Sequence, residues 1–206
     1  MTTGVVDLNS VKRAPEVEGV LPVFHERWSP RSYADRHVSP ALLAKVFEAA
    51  RWAASSFNEQ PWRFIVGKKG SEAYKKILES LVEFNQNWAR TAPVLILGVA
   101  RAKFSHNGAE NRVALFDLGA ASSYLTLEAA ALGLSTHQMA GFDTEKAHKL
   151  FGIPADYVVG SVIALGYRGD PEALKDEGLI MQETEPRTRK PLGEFVFSAW
   201  GEPAKF

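Results

Sequence analysis

The chain contains no cysteine. Disulfides, thiol nucleophiles, iron–sulfur clusters and thiolate zinc sites are therefore excluded together. It has no excess of either charge, because 24 Lys and Arg residues balance 24 Asp and Glu. No global field then draws it to nucleic acid or to an anionic membrane. No apolar run approaches the roughly 20 residues that span a bilayer. The opening MTTGVVDLNSVKRAPEVEGVLP lacks the basic-then-apolar layout of a signal peptide. The expectation is a soluble, cytoplasmic protein with neither nucleic-acid nor membrane partners. Familiar catalytic motifs are missing too. The five histidines (25, 37, 106, 137, 148) are scattered without H-x-x-x-H spacing, which argues against a metal site. GLSTH brings Ser135 near His137 but is not G-x-S-x-G, GKKGSE lacks Walker spacing, and no strand leads into G-x-G-x-x-G.

What is present is an ordinary globular composition, 46% hydrophobic and 23% charged over 206 residues, enough for one domain with its own core. Residues 1–22 mix glycine, proline and charge without periodicity and read as an N-terminal arm. Residues 23–206 read as one domain whose C-terminal arm begins at about 190. VSPALLAKVFEAARWAA predicts a helix capped by Ser39 with Pro40 in its first turn. Pro61 should hold Gln60 extended. RFIVG is a short strand, and SEAYKKILESLVEFNQNWART predicts one amphipathic helix. APVLILGVA and YVVGSVIALGY have the unbroken apolar character of strands buried on both faces, and LSTHQM is a shorter strand. Residues 110–134 form the longest helix candidate, apolar around most of its circumference and hence core or subunit interface, with Gly133 as its stop. DTEKAHKLFGI is a small helix capped by Asp143 or Thr144. The fold class is α+β, with four central strands, long helices and an extended tail whose apolar EFVFSAW should pack on something.

Three separated segments hold unusual polar chemistry. RWSPRSY places Arg27 and Arg31 about Trp28, Ser29 and Pro30; a solvated surface or an anion would each suit them. SSFNEQPW offers Ser55, Ser56, Asn58 and Gln60, or simply a turn ahead of a core tryptophan. RTRK carries Arg187, Arg189 and Lys190, either a solvated basic loop or more guanidinium groups for an anion such as phosphate. His137 and His148 read as structural.

In their order along the chain, RWSPRSY, ARWAASSFNEQPWRFIV, DLGAASSYLTLEAAALGLSTHQMAGFD and RTRKPLGEF resemble the FMN-dependent nitroreductase family over residues 24 to about 197. The resemblance implies a mixed β-sheet flanked by helices, in an intertwined homodimer with FMN at the interface. Arg27 and Ser29, together with Arg187 and Arg189, would clasp the FMN phosphate, with Trp28 inside the same motif. Arg31 would reach the pyrimidine edge of the flavin. Ser55, Ser56, Asn58 and Gln60 belong to the segment that would approach from the partner subunit. Ala140 and Gly141 would lie along the N5 edge. No side chain is expected to act as the catalyst: NAD(P)H would reduce the flavin, leave, and be replaced by a nitroaromatic or quinone-type acceptor in ping-pong order. A flavin-storage protein, or a same-fold enzyme of dehalogenation or enoate reduction, is the alternative. The chain departs from some members at Ala140, where they carry glutamate, and at Asn85, Asn87 and Arg90, where they carry an asn-x-x-lys pair.

Overall fold

A computed structural model describes residues 7–206; the first six residues of the expected arm lie outside the described residues. Its centre is a four-stranded sheet in the order β1 (Trp62–Lys68), β2 (Val94–Arg101), β4 (Tyr157–Gly166), β3 (Ser135–Met139). All three pairings are antiparallel, so any parallel strand of a mixed sheet is not among the described residues of this chain. The α+β architecture is as the sequence predicts.

The apolar runs explain the layering. Side chains alternate faces along a strand, so β2 feeds two cores at once. Val94, Ile96 and Ala100 point toward one layer, built with α3 (Pro40–Arg51) and α6 (Ala114–Ala131). Leu95, Leu97 and Val99 point toward the other, built with α4 (Glu72–Ser80), α5 (Glu83–Ala89) and α7 (Thr144–Phe151). In the β2–β4 ladder Gly98 faces Ser161 and Val99 faces Val159, which leaves Gly160 as the extra residue of a bulge. A Cβ there would come within 2.6 Å of Leu118, so glycine lets α6 lie close on the sheet.

The caps follow the sequence. The Ser39 hydroxyl accepts the Leu42 N–H at 3.3 Å and the Asp143 carboxylate accepts the Lys146 N–H at 2.9 Å. Two expectations are corrected. The helix expected over 71–91 is two helices, because Leu81 and Val82 are extended; Leu81 bridges Phe142 and the Val82 N–H bonds the Gly141 carbonyl at 3.0 Å. Local periodicity lost there to a tertiary strand pairing. Gln60 is not extended but lies at φ 50°, in the left-handed region, with its N–H bonded to the Ser55 hydroxyl at 3.0 Å. Avoiding the right-handed helical region before proline left this second way open.

The segment ahead of residue 23 carries α1 (Leu8–Lys12) and α2 (Pro22–Glu26) is its successor. Helix α1 packs on α8 (Glu177–Thr184), which tethers the two ends of the chain to each other. Past α8 the chain runs exposed into a small hairpin, β5 (Phe197–Ala199) and β6 (Glu202–Pro203). Among the described residues no helix is long and apolar enough to cross a membrane.

Candidate functional site

The first polar motif leaves α2 and crosses to the sheet. Its far end is fixed by strand-like pairing: the Ala34 N–H bonds the Tyr167 carbonyl and the Gly169 N–H bonds the Ser32 carbonyl, both at 2.9 Å. Its middle is fixed by His137 on β3, whose Nδ1 lies 3.1 Å from the Pro30 carbonyl and must be protonated to donate to it. The imidazole packs on Trp88, centroids 4.6 Å apart. Burial, reinforced by the Arg31 charge, holds this histidine down to about 4, so the ring is neutral at ordinary pH. His137 and His148 both bond backbone carbonyls and are structural.

Held this way, the motif forms one wall of a cavity of about 200 Å³ lined by Lys12, Arg27, Trp28, Ser29, Arg31, Gln182, Glu183, Arg187 and Arg189. Residues near positions 28 and 188, remote in sequence, therefore meet, as the resemblance implied. Five cations surround the cavity and Glu183 is its one carboxylate. Glu183 is 1% exposed and accepts the Arg31 N–H at 3.0 Å. Burial pushes its carboxyl up from the ordinary value, while the Arg31 and Ser32 N–H groups pull the other way. Its carboxylate lies 4.0 Å from the Arg31 guanidinium. Arg27 donates to the Ser29 hydroxyl at 3.3 Å. Burial and then the Arg189 charge lower its affinity for a proton, although a guanidinium remains charged at any working pH.

Two buried donors here, Trp28 Nε1 and Arg31 Nε, have no hydrogen-bond partner among the described residues. Unpaired buried donors cost roughly 1–3 kcal/mol each. Excess positive charge together with idle donors gives the cavity the chemistry to take an anion.

Arg187 also bonds backbone within its own chain. Its Nε donates to the Lys12 carbonyl and its Nη1 to the Arg27 carbonyl, both at 2.7 Å. Its Nη2 donates to the Phe24 carbonyl at 3.3 Å and to that of His25. Four of its five N–H groups thus meet carbonyls at the ends of α1 and α2, where helices leave acceptors free; that of His25 also takes the Ala14 N–H. Arg187 is a strut that frames the cavity, and Arg189 beside it is the exposed cation.

The other implied residues lie elsewhere. Gly141 follows β3, and its carbonyl accepts from Val82 N–H and, at 2.9 Å, from the Asn85 amide. A Cβ on Gly141 would sit 2.5 Å from that amide nitrogen, so only glycine allows this approach. Ala140 is exposed beside it. Asn85 is thus the residue of its segment that reaches the glycine turn, whereas Arg90 and Asn87 bond each other on the surface. Ser55, Ser56, Asn58 and Gln60 do not line the cavity. They form a tight turn with Phe57, Asn58 and Gln60 at φ 52°, 53° and 50°. Buried Asp117 of α6 holds it by accepting the Ser56 N–H at 3.1 Å.

The nitroreductase family profile matches residues 25–167. The chain belongs to the nitroreductase family. Among its relatives, a Mycolicibacterium smegmatis protein known only as an uncharacterised 15.4 kDa product is 36% identical over 149 residues, 68% of this chain and 99% of its own length. An Archaeoglobus fulgidus protein, provisionally named an NADH dehydrogenase/NAD(P)H nitroreductase, is 34% identical over 158 residues, 75% of this chain and 88% of its own. A crystal structure described as an oxidoreductase containing FMN is 34% identical, with a TM-score of 0.83, covering 92% of this chain and 96% of that one. The family match stops short of Lys12 on one side and of Glu183, Arg187 and Arg189 on the other. Lys12, Gln182 and Glu183 are the cavity residues that sequence reasoning missed. A lysine in SVKRAP and a glutamate in MQETEP carry no local signal; only the packing of α1 on α8 brings them in.

Proposed function

We propose that this nitroreductase-family chain binds FMN in the cation-lined cavity and acts, as a homodimer, as an NAD(P)H-dependent oxidoreductase of nitroaromatic or quinone-type acceptors. The observation that carries the reading is the cavity itself: five cations to one carboxylate, and two buried donors without partners. A phosphate joined to a polar ring answers both demands.

The residues fit such a group. Arg27, Ser29 and Arg189 would hold the phosphate, Arg27 and Ser29 being already bonded to each other. Arg31 would turn its idle Nε to a ring carbonyl, and its fixed charge there would favour extra electron density on the ring. Glu183 keeps the Arg31 backbone in place from a buried position. Gly141, held by Asn85 and Val82, would let the ring edge approach backbone without a side chain between. When bound, flavin supplies hydride acceptance and donation, which none of these side chains can perform. Donor and acceptor would occupy one pocket in alternation, the ping-pong order. The Ser55–Gln60 turn, away from its own chain's cavity, would complete the site of a partner copy.

A visible absorption spectrum of the purified protein after incubation with FMN, repeated anaerobically with NADH and then NADPH, tests the reading. Bound flavin that bleaches is expected, and the donor that bleaches it is then identified. Bound flavin that stays oxidised with both donors would fit storage of the cofactor instead. No bound flavin would sink the assignment of the cavity.

A further inference from the structure

Lys12 ends α1 with only 5% of its surface exposed. Lysines are almost never buried to this degree without a partner that repays the loss of water. Its ammonium donates to the Gln182 carbonyl at 2.5 Å and lies 5.1 Å from the centre of the Trp28 ring. Among the described residues it makes no ion pair, and the carboxylate of neighbouring Glu183 is bonded to Arg31 instead. An ammonium has three N–H groups, so two remain for something else. They stand in the wall of the same cavity as Arg27, Ser29 and Arg189.

We propose that Lys12 is a further ligand of the cofactor's phosphate, delivered to the cavity by α1 from outside the family match. The inference rests on the flavin reading above. It gives α1 a function: the helix brings one cation to the clasp, and Arg187 fixes it there by bonding the Lys12 carbonyl at 2.7 Å. Placing Lys12 on Trp28 also holds the indole whose Nε1 has no partner. An anion in the cavity would relieve the crowding of Lys12, Arg27, Arg31 and Arg189 in one step.

Riboflavin has the ring of FMN without its phosphate, so the pair of ligands isolates the phosphate contact. Dissociation constants for both, by fluorescence titration, should be measured on the wild type, Lys12→Met and Lys12→Arg. Lys12→Met should weaken FMN roughly 10- to 100-fold and leave riboflavin unchanged. Lys12→Arg should keep most of the preference for FMN. Unchanged FMN affinity in Lys12→Met, or equal weakening of both ligands, would overturn the proposal in favour of a packing role. A wild type that binds neither ligand would instead remove the flavin reading beneath it.

If Lys12→Met does not fold, the wild type alone gives an answer. Burial lowers the Lys12 ammonium from its ordinary 10.5, opposed by Glu183 and Glu185 and assisted by Arg31 and Arg187. The arginines around the cavity, Arg27 and Arg189 included, keep their charge across this range. The ratio of FMN to riboflavin affinity should therefore fall as pH rises from neutral toward the ordinary lysine value of 10.5, because Lys12 loses its proton below that value. A flat ratio across that range would count against Lys12 as a phosphate ligand.

Discussion

The cation-lined cavity and the Ser55–Gln60 turn are finished to different degrees. Around the cavity the chain supplies its own supports: Arg187 bonds four carbonyls, Glu183 bonds Arg31, and His137 bonds Pro30. The turn is just as firmly set, by Asp117 from below and by Glu59, which accepts both the N–H and the hydroxyl of Ser105 at 2.9 and 3.0 Å. Yet among the described residues nothing covers it. Phe57 is 82% exposed at a left-handed φ, a conformation bulky residues avoid. It meets Phe104 edge-on at 5.7 Å, and on the outer side of α6 Phe116 is 77% exposed. A residue held under local strain of roughly 1–3 kcal/mol points to a role that needs that shape. One region closes a cation-lined cavity within the chain; the other presents a rigid apolar face outward, as a surface for a second copy would.

The largest effect that would break this comparison is expected at the strut. Arg187→Ala removes a donor from four carbonyls, of which only that of His25 keeps another, the Ala14 N–H, and should cost about 3–5 kcal/mol in denaturant unfolding. Arg187→Lys should rescue little, since an ammonium cannot reproduce the fork. A loss below about 1 kcal/mol would mean that the cavity frame does not depend on it.

Next, Phe116→Glu puts charge on the outer face of α6. It should weaken self-association by about 2–4 kcal/mol, read by sedimentation, and leave the thermal unfolding of the monomer nearly unchanged. If sedimentation is unaffected, that face is not where copies meet.

The third effect sharpens the cavity side. His137 is neutral in the folded protein and lowered to about 4 from the ordinary 6.5, so the unfolded chain takes up the proton first as pH falls. Stability is full above 6.5 and is lost as pH drops toward 4, by about 3 kcal/mol at most. Unfolding free energies across this window should slope in the wild type and flatten in His137→Asn, whose amide can still donate to Pro30.

The smallest expected effect is Arg27→Ala. It removes one charge-assisted contact worth about 1.5–3 kcal/mol to a bound phosphate, or roughly 10- to 100-fold in FMN affinity by titration. Unchanged affinity would show that the phosphate sits elsewhere in the cavity.

Much of the fold was written locally. Ser39 before Pro40 starts α3 because a hydroxyl cap and a fixed φ act on neighbouring atoms alone. The unbroken apolar runs of β2 and β4 could only be strands with a layer on each side. Gly133, at φ 74°, stops the helix it follows. The arginine motif and the basic segment near residue 188 were legible as either solvated surface or anion chemistry, since guanidinium groups serve both. What sequence could not give were matters of distant geometry. The break at Leu81 and Val82 comes from pairing with residues 60 positions further on. That Arg187 bonds four backbone carbonyls follows from α1 and α2 ending beside it, since a guanidinium bonds whichever acceptors are nearest. Lys12 and Glu183 joined the cavity only when α1 packed on α8. Residue type determined what chemistry this protein could hold, through charge, shape and donor count; tertiary structure decided which groups hold it, because that depends on where helix ends meet.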